Sequence, residues 1–514
     1  VLCLLFRKVV DFSSWGFVLS LFHPKILQFS QNTSLFYAIL TAISIITAIS
    51  FFLTDIYNMS NSRTKKNHKS KKSQTRKRIG FYKKPPSLLN INGYYLLLLP
   101  LPLSNAIRID CNIFGGGLLE NSYDSGIAHL LEHIIMSAWQ RCGTMKCSLY
   151  LEKYGISSNA STSSMYTKYW AKALPKFESV ILDYIFEIIF HPRITPNLLT
   201  DEKKIVREEL EGYINNPKWK LSNLIVQNFY KSKGLQNVAD YKKQITALDN
   251  INIKMLYDYM DRSRVENCLM FTVSGKFKRD NIIKYFKQKT SSLPRNEFNC
   301  RMLHFNRLKS CFTFRKKVIF VRNNKAENTQ ISINFPSNIL PNDKDSKLLP
   351  FLNKIIASDL TSLIVKRLRL ELNLVYGASI YSIENLCGTS FVISISTSDS
   401  NVVEVLKETF GILKKYSKEL IPVNTLLHEK RQFTLSMNQL SYKNPDLVAS
   451  LYIPQYFWQL NNVRNIYTFG HLRREIRDIS RQKIRRLIRN IFNINHCIVG
   501  YIGKRRVNFT INDF

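Results

Sequence analysis

The chain has 514 residues, 45% of them apolar, which allows two or three domains with sizeable cores. Its nine cysteines are scattered and odd in number, with no CxxC pair, which excludes a disulfide framework and makes a reducing compartment the expectation. The formal net charge of +37, from 74 Lys and Arg against 37 Asp and Glu, would suit a nucleic acid or an anionic surface. Yet Lys, Asn, Ile, Phe and Tyr are all abundant, as A/T-rich codons give, and no nucleic-acid-binding module is recognisable. No specific nucleic-acid partner is expected.

Residues 35–53, LFYAILTAISIITAISFFL, carry no charge over nineteen positions, long enough to span a bilayer. From Arg63 to Lys84 there follow eleven basic residues and no acid, a flank that stays on the cytoplasmic, matrix or stromal side. Together they are expected to form a membrane anchor within an N-terminal extension, residues 1–86. A competing reading starts translation at Met59, takes residues 59–84 as a loose transit sequence and leaves 1–58 outside the mature protein.

Beyond residue 87 the pattern is that of a globular α/β protein. AIRIDCNIF (106–114) alternates as a strand does, and three glycines, Gly115 to Gly117, lead towards GIAHLLEHII (126–135), an apolar helical run. FESVILDYIFEIIFHP (177–192) places Ile181, Ile185 and Ile188 on one helical side and stops at Pro192. DEKKIVREELEG (201–212) is helical and acidic, and CLMFTVSG (268–275) is a strand.

The second half replays the first. Ile109 answers Ile331, Tyr154-Gly155 answers Tyr376-Gly377, and LLTDEKK (198–204) answers LLHEKRQ (426–432). NNP (215–217) answers KNP (443–445), and Cys268 answers Cys497. The order is kept and the offset rises only from 222 to 229. The fold class expected is α+β: two homologous α/β sandwich domains, each an antiparallel-rich sheet with packed helices, at 87–292 and 313–512, joined by a linker at 293–312.

His129, Glu132 and His133 interrupt the apolar run. Positions i and i+4 lie one above the other on a helix, so both imidazoles can aim at one ion, with Glu132 beside it. H-x-x-E-H thus supplies two metal ligands and a base for a metal-activated water. Satisfied core histidines are the bland alternative. Against it, the same offset places Phe351, Lys354 and Ile355 in the second copy, so the fold does not require the trio. A third ligand is expected from the acidic helix. Glu202 and Glu209 are seven apart and share a face; Glu209 aligns with Ser436, whereas Glu208 and Glu211 stay open on periodicity alone.

GIAHLLEH, with a Glu 76 residues after its second His, resembles the extended motif of the pitrilysin, insulinase and mitochondrial processing peptidase family of zinc metallopeptidases. The resemblance implies His129, His133 and Glu209 as ligands of one Zn2+ per chain, Glu132 as base, and Glu202 as the carboxylate steadying the site. SSNASTSSMYTKYWA (157–171) is similar to the family's substrate-pairing edge strand, with Asn159, Ala160 and Thr162 as contacts. RLELNLVY (369–376) resembles the family's Arg and Tyr that reach the active site, here Arg369 and Tyr376. The length resembles the short branch, in which a two-domain chain forms half of a clamshell chamber, as a homodimer or with a related chain. Gly143-Thr144 is displaced from the family's position after the motif. The expected function is a zinc metalloendopeptidase acting on extended peptides or presequences. The alternative is a non-catalytic partner or structural subunit of a processing-peptidase-like complex.

Overall fold

The computed structural model describes residues 85–514, apart from 144, 232–234, 237–238, 265–267, 294–311, 342, 386–387, 441–442 and 460–465. Most of the expected linker lies outside the described residues, as does the run at 35–53. The expectation of a transmembrane protein is corrected: among the described residues no helix is long and apolar enough to cross a membrane.

The alternating segments form strands where the pattern requires. The first sheet holds β1 (Leu88–Ile91), β2 (Tyr94–Pro100), β3 (Ile107–Phe114), β4 (Ser157–Thr162), β5 (Tyr166–Ala173) and β6 (Leu269–Gly275), in the spatial order β1-β2-β6-β3-β5-β4. The second holds β7 (Lys317–Arg322), β8 (Thr329–Ser337), β9 (Val375–Asn385), β10 (Gly388–Thr397) and β11 (Ile498–Gly503), in the order β7-β11-β8-β10-β9. Without the β1 hairpin strand the two orders are the same. Each sheet has one parallel pair, β2 with β6 and β7 with β11, and is otherwise antiparallel. Ile109 pairs with Ala171 and Val273, and Ile331 pairs with Ile395 and Tyr501. The two isoleucines therefore hold the same ladder position, as the repeat predicts.

Seven helices matter here: α1 (Ile127–Ser137), α2 (Glu178–Phe190), α3 (Pro196–Asn215), α4 (Pro217–Phe229), α5 (Leu349–Ala357), α6 (Val423–Leu440) and α7 (Pro445–Gln459). In α2 the predicted stripe of Ile181, Ile185 and Ile188 is fully buried, and the helix lies against β3 and β5.

Alternation alone would leave Arg108, Asp110 and Asn112 of β3 facing water. The structure buries them: Asp110 is 0% exposed and Arg108 6%. The cover is α7, which comes from the second half and lies on β2, β3 and β6. Arg108 grips Asp110 with Nε at 2.8 Å and Nη2 at 2.6 Å, and reaches Asp446 of α7 with Nη1 at 2.7 Å. Lys172 holds the other Asp446 oxygen at 2.8 Å, and Lys168 stands 3.2 Å from Asp110. Burial works against the Arg108 charge, and the two aspartates more than offset it.

The first half returns the arrangement. Its α4 lies on β7 and β11 of the second sheet, burying Leu221, Ile225 and Phe229 among Ile319, Val321, Ile498 and Ile502. Each such side chain contributes about 1.5–3 kcal/mol when fully removed from water. Gly500 permits the approach, since a Cβ there would stand 2.8 Å from Ile225 and 2.9 Å from Leu221. Both exchanged helices open with Asn-Pro. The Asn216 carboxamide oxygen accepts from Lys218 N at 2.9 Å, and that of Asn444 accepts from Asp446 N at 2.9 Å. Proline at the first helical position lacks only an amide that would have no helical partner.

One cysteine expectation changes. Cys142 and Cys147 are bonded to each other, closing the turn that follows α1. Their spacing carried no recognised motif, and at a sequence separation of five their Cα atoms lie 5.3 Å apart.

Candidate metal centre

The opening helix is confirmed as α1, and its apolar residues Ile127, Leu130, Leu131, Ile134 and Ile135 are buried. That packing leaves a narrow stripe for His129, Glu132 and His133, which are half-buried. The helix begins at Gly126, whose φ of 87° lies in the left-handed region favoured by glycine. Its first amides are held by a residue that the sequence reading missed. Glu120 accepts from Gly126 N at 2.9 Å and from Ala128 N at 3.1 Å. Burial pushes its carboxyl up to about 7, against the pull of those two amides. A carboxylate six residues before a helix start leaves no local signature, because the loop between them sets the contact.

Helix α3 supplies the acids. Glu209 Oε2 is 3.7 Å from His129 Nε2 and 3.4 Å from His133 Nε2. Donor atoms of His129, His133 and Glu209 all lie within 4.8 Å of one another, the one such group among the described residues. Of the acids left open by periodicity, Glu209 is therefore the one that joins the histidines. Glu202, two turns earlier, stands 3.5 Å from His133 Nδ1, and its other oxygen accepts from Ser137 Oγ at 3.4 Å. This contact turns the Nε2 of His133 towards Glu209.

Electrostatics separates the two imidazoles. Burial, helped by His133, pushes His129 down to about 4, so it is neutral and can donate a lone pair. His133 is also disfavoured as a cation by burial, but Glu202, Glu132 and Glu209 together push it up. Burial raises the Glu132 carboxyl, with Thr162 and His133 acting the other way. A carboxylate so placed accepts a proton more readily than one in water. The donor set of two imidazoles and one carboxylate is that of hydrolytic zinc sites, so the residues present fit the ion.

Strand β4 is an edge strand beside α1, paired among the described residues with β5 alone. Asn159 is exposed, Ala160 and Thr162 are half-buried, and Asn159 Oδ1 accepts from Ala160 N at 2.8 Å. The structure thus brings Thr162 to Glu132 and leaves Asn159 and Ala160 on the open rim. Arg369 and Tyr376 are elsewhere. Arg369 lines a cavity of about 660 Å³ whose wall comes from the second half, with Lys354, Thr361, His428 and Ser436. Tyr376, on edge strand β9, is 63% exposed.

A family model described as "Insulinase (Peptidase family M16)" matches residues 104–239, and one described as "Peptidase M16 inactive domain" matches 250–433. An uncharacterized zinc protease of Bacillus subtilis is 23% identical over 344 residues, covering 64% of this chain and 79% of that protein. The mitochondrial-processing peptidase subunit beta of Saccharomyces cerevisiae is 20% identical over 207 residues, covering 40% and 44%. Among solved structures, the peptidase M16 inactive domain from Pseudomonas fluorescens superposes with a TM-score of 0.70 at 13% identity, covering 82% of this chain and 99% of that one. The chain belongs to the M16 family of peptidases, in which relatives are named zinc proteases.

Proposed function

We propose that this chain is a zinc-dependent metalloendopeptidase that hydrolyses extended peptides or presequences. The observation that carries the reading is the convergence of His129, His133 and Glu209 from two helices, with Glu132 alongside. These three residues would hold one Zn2+ per chain, in a catalytic domain at 87–292; the degenerate domain at 313–512 would hold none. When bound, zinc supplies an acidified water and polarises a carbonyl. Glu132 would accept a proton from the attacking water and return it to the leaving amine. Glu202 keeps His133 in the tautomer that offers Nε2. The open edge of β4 can add an extended peptide as a further strand, with Asn159 and Ala160 at the rim and Thr162 next to Glu132.

Arg369 and Tyr376 support a dimer. They lie with second-half residues, so we assign them to the chamber of a partner chain, identical or related. There Tyr376 would donate to the oxyanion and Arg369 would hold a substrate carbonyl or carboxylate. One relative bears the name of a subunit.

Metal analysis of purified protein should return one zinc per chain, falling to none in His129→Ala. Two ions per chain, or none after zinc loading, overturns the ligand set. Peptide-library digestion read by mass spectrometry should show internal cleavage that Glu132→Gln lacks. A zinc-loaded wild-type chain that cleaves nothing, alone or with a partner subunit, would assign it to the non-catalytic subunits instead.

A further inference from the structure

Glu209 has two carboxylate oxygens, and the histidines face one of them. Oε2 is the oxygen near both imidazoles. Oε1 accepts a hydrogen bond from the phenol of Tyr213, one turn further along α3. We infer that Tyr213 is a positioning residue for the metal centre: by occupying Oε1 it presents Oε2 to the ion and fixes the rotamer of the third ligand. The inference rests on the ligand assignment proposed above.

Two further observations support it. The Tyr213 ring is itself held, 4.5 Å from the Trp219 ring and 5.3 Å from that of Tyr241, measured between centroids. Trp219 sits in the first turn of α4, so the Asn-Pro junction between α3 and α4 sets the place of the phenol. The repeat points the same way. The alignment that pairs Glu209 with Ser436 pairs Tyr213 with Leu440, so ligand and donor are both missing from the second half. Within the centre, Tyr213 does for Glu209 what Glu202 does for His133. Partners of this kind alter metal affinity by about 10–100-fold when removed.

The test is Tyr213→Phe in the full chain, which keeps the ring against Trp219 and removes the hydroxyl. Zinc affinity, measured by competition with a chromogenic chelator, should weaken by about 10–100-fold. The visible absorption bands of the Co2+-substituted protein should shift, while the melting temperature of the metal-free protein stays the same. Tyr213→Gln, which restores a donor on a shorter side chain, should recover part of the affinity. Unchanged affinity and an unchanged Co2+ spectrum in Tyr213→Phe overturn the inference. So does a loss of affinity that Tyr213→Gln does not relieve and that comes with a lower metal-free melting temperature, which would mark a packing role. If wild type and His129→Ala hold zinc equally weakly, the ligand assignment itself fails, and that failure is seen before any Tyr213 variant is made.

Discussion

Helices α1 and α5 hold the same place in two copies of one fold and are filled differently. In α1 the stripe beside α3 carries His129, Glu132 and His133, half-buried. In α5 the aligned Phe351 and Ile355 are 0% exposed, and Lys354 turns to Asp359 at 2.5 Å. The helices behind them differ as well. Glu202 is engaged by His133 and Ser137. Its counterpart Glu429 is fully buried, accepts from Thr361 Oγ1 at 3.0 Å with one oxygen, and has no hydrogen-bond partner for the other among the described residues. Burial raises its carboxyl. The fold thus tolerates either filling. Where the second copy is packed with apolar side chains, the first carries a cluster of possible metal ligands, and both copies keep a carboxyl at the place of Glu202 and Glu429.

The comparison can be broken at several points. The largest effect is expected at Glu132. Glu132→Gln should lower turnover by about 10²–10⁴-fold, the usual weight of general-base catalysis, with zinc content unchanged. Full turnover in that variant removes Glu132 from the base role.

Making the second copy resemble the first should fail. Phe351→His with Ile355→His puts two imidazoles into a closed apolar core, with Ser436 where a carboxylate is needed. A loss of about 3–5 kcal/mol in unfolding free energy is expected, from lost packing and buried polar nitrogens, with no second zinc bound. A second zinc in metal analysis would show that the two stripes are interchangeable.

Tyr376→Phe tests whether the second copy serves catalysis at all. Turnover should drop by about ten- to a thousandfold, as for loss of one oxyanion donor, at constant zinc content. Arg369→Ala should act mainly on KM. Unaltered kinetics in both variants would leave the second copy a structural role only.

The smallest effect concerns the helix starts. Glu120 holds the first amides of α1, whereas α5 has no side-chain bond at its N-cap. The Glu120 carboxyl is raised in the folded state to about 7, above an unfolded value near 4.5. Its contribution is therefore fully present below the unfolded value and is lost as pH rises through about 7. Chemical denaturation between pH 4 and 8 should show a decline of about 1–3 kcal/mol from this group, since one pKa unit corresponds to about 1.4 kcal/mol. Glu120→Gln should flatten that decline. An equal slope in the variant shows that other groups cause it.

Much of this was legible in the sequence. The i, i+4 spacing of His129 and His133 is a local signal, and α1 places both on one stripe. The repeat predicted the shared strand order, because matched alternation and matched glycine and cysteine positions survive divergence. Contacts set by tertiary structure were not legible. Nothing in IRIDCNIF says that α7 will cover Arg108 and Asp110. Nothing local links Glu120 to Gly126, whereas the i+4 spacing of Glu209 and Tyr213 was open to inspection. The pairing of Cys142 with Cys147 went unrecognised because its short loop matches no familiar framework. Arg369 and Tyr376 were placed by family likeness; in the structure Arg369 lines a cavity of second-half residues and Tyr376 is exposed.

The reciprocal exchange of α4 and α7 bears on how the chain is made. The last strand of the first sheet ends at Gly275, and the helix that covers it starts at Pro445, 170 residues later. At a synthesis rate of about 5–20 residues per second, the nascent first sheet waits on the order of ten to thirty seconds with Arg108 and Asp110 uncovered. During that interval α4 presents Leu221, Ile225 and Phe229 with no second sheet to receive them. A nascent chain at that stage would expose an apolar helix and an open charged sheet face, the kind of surface that chaperones hold. For the same reason the half that carries His129, His133 and Glu209 is not expected to be a severable module. Expressed alone it would need α7 supplied as a separate peptide and α4 trimmed or masked, and a two-piece version should reassemble through these two helices.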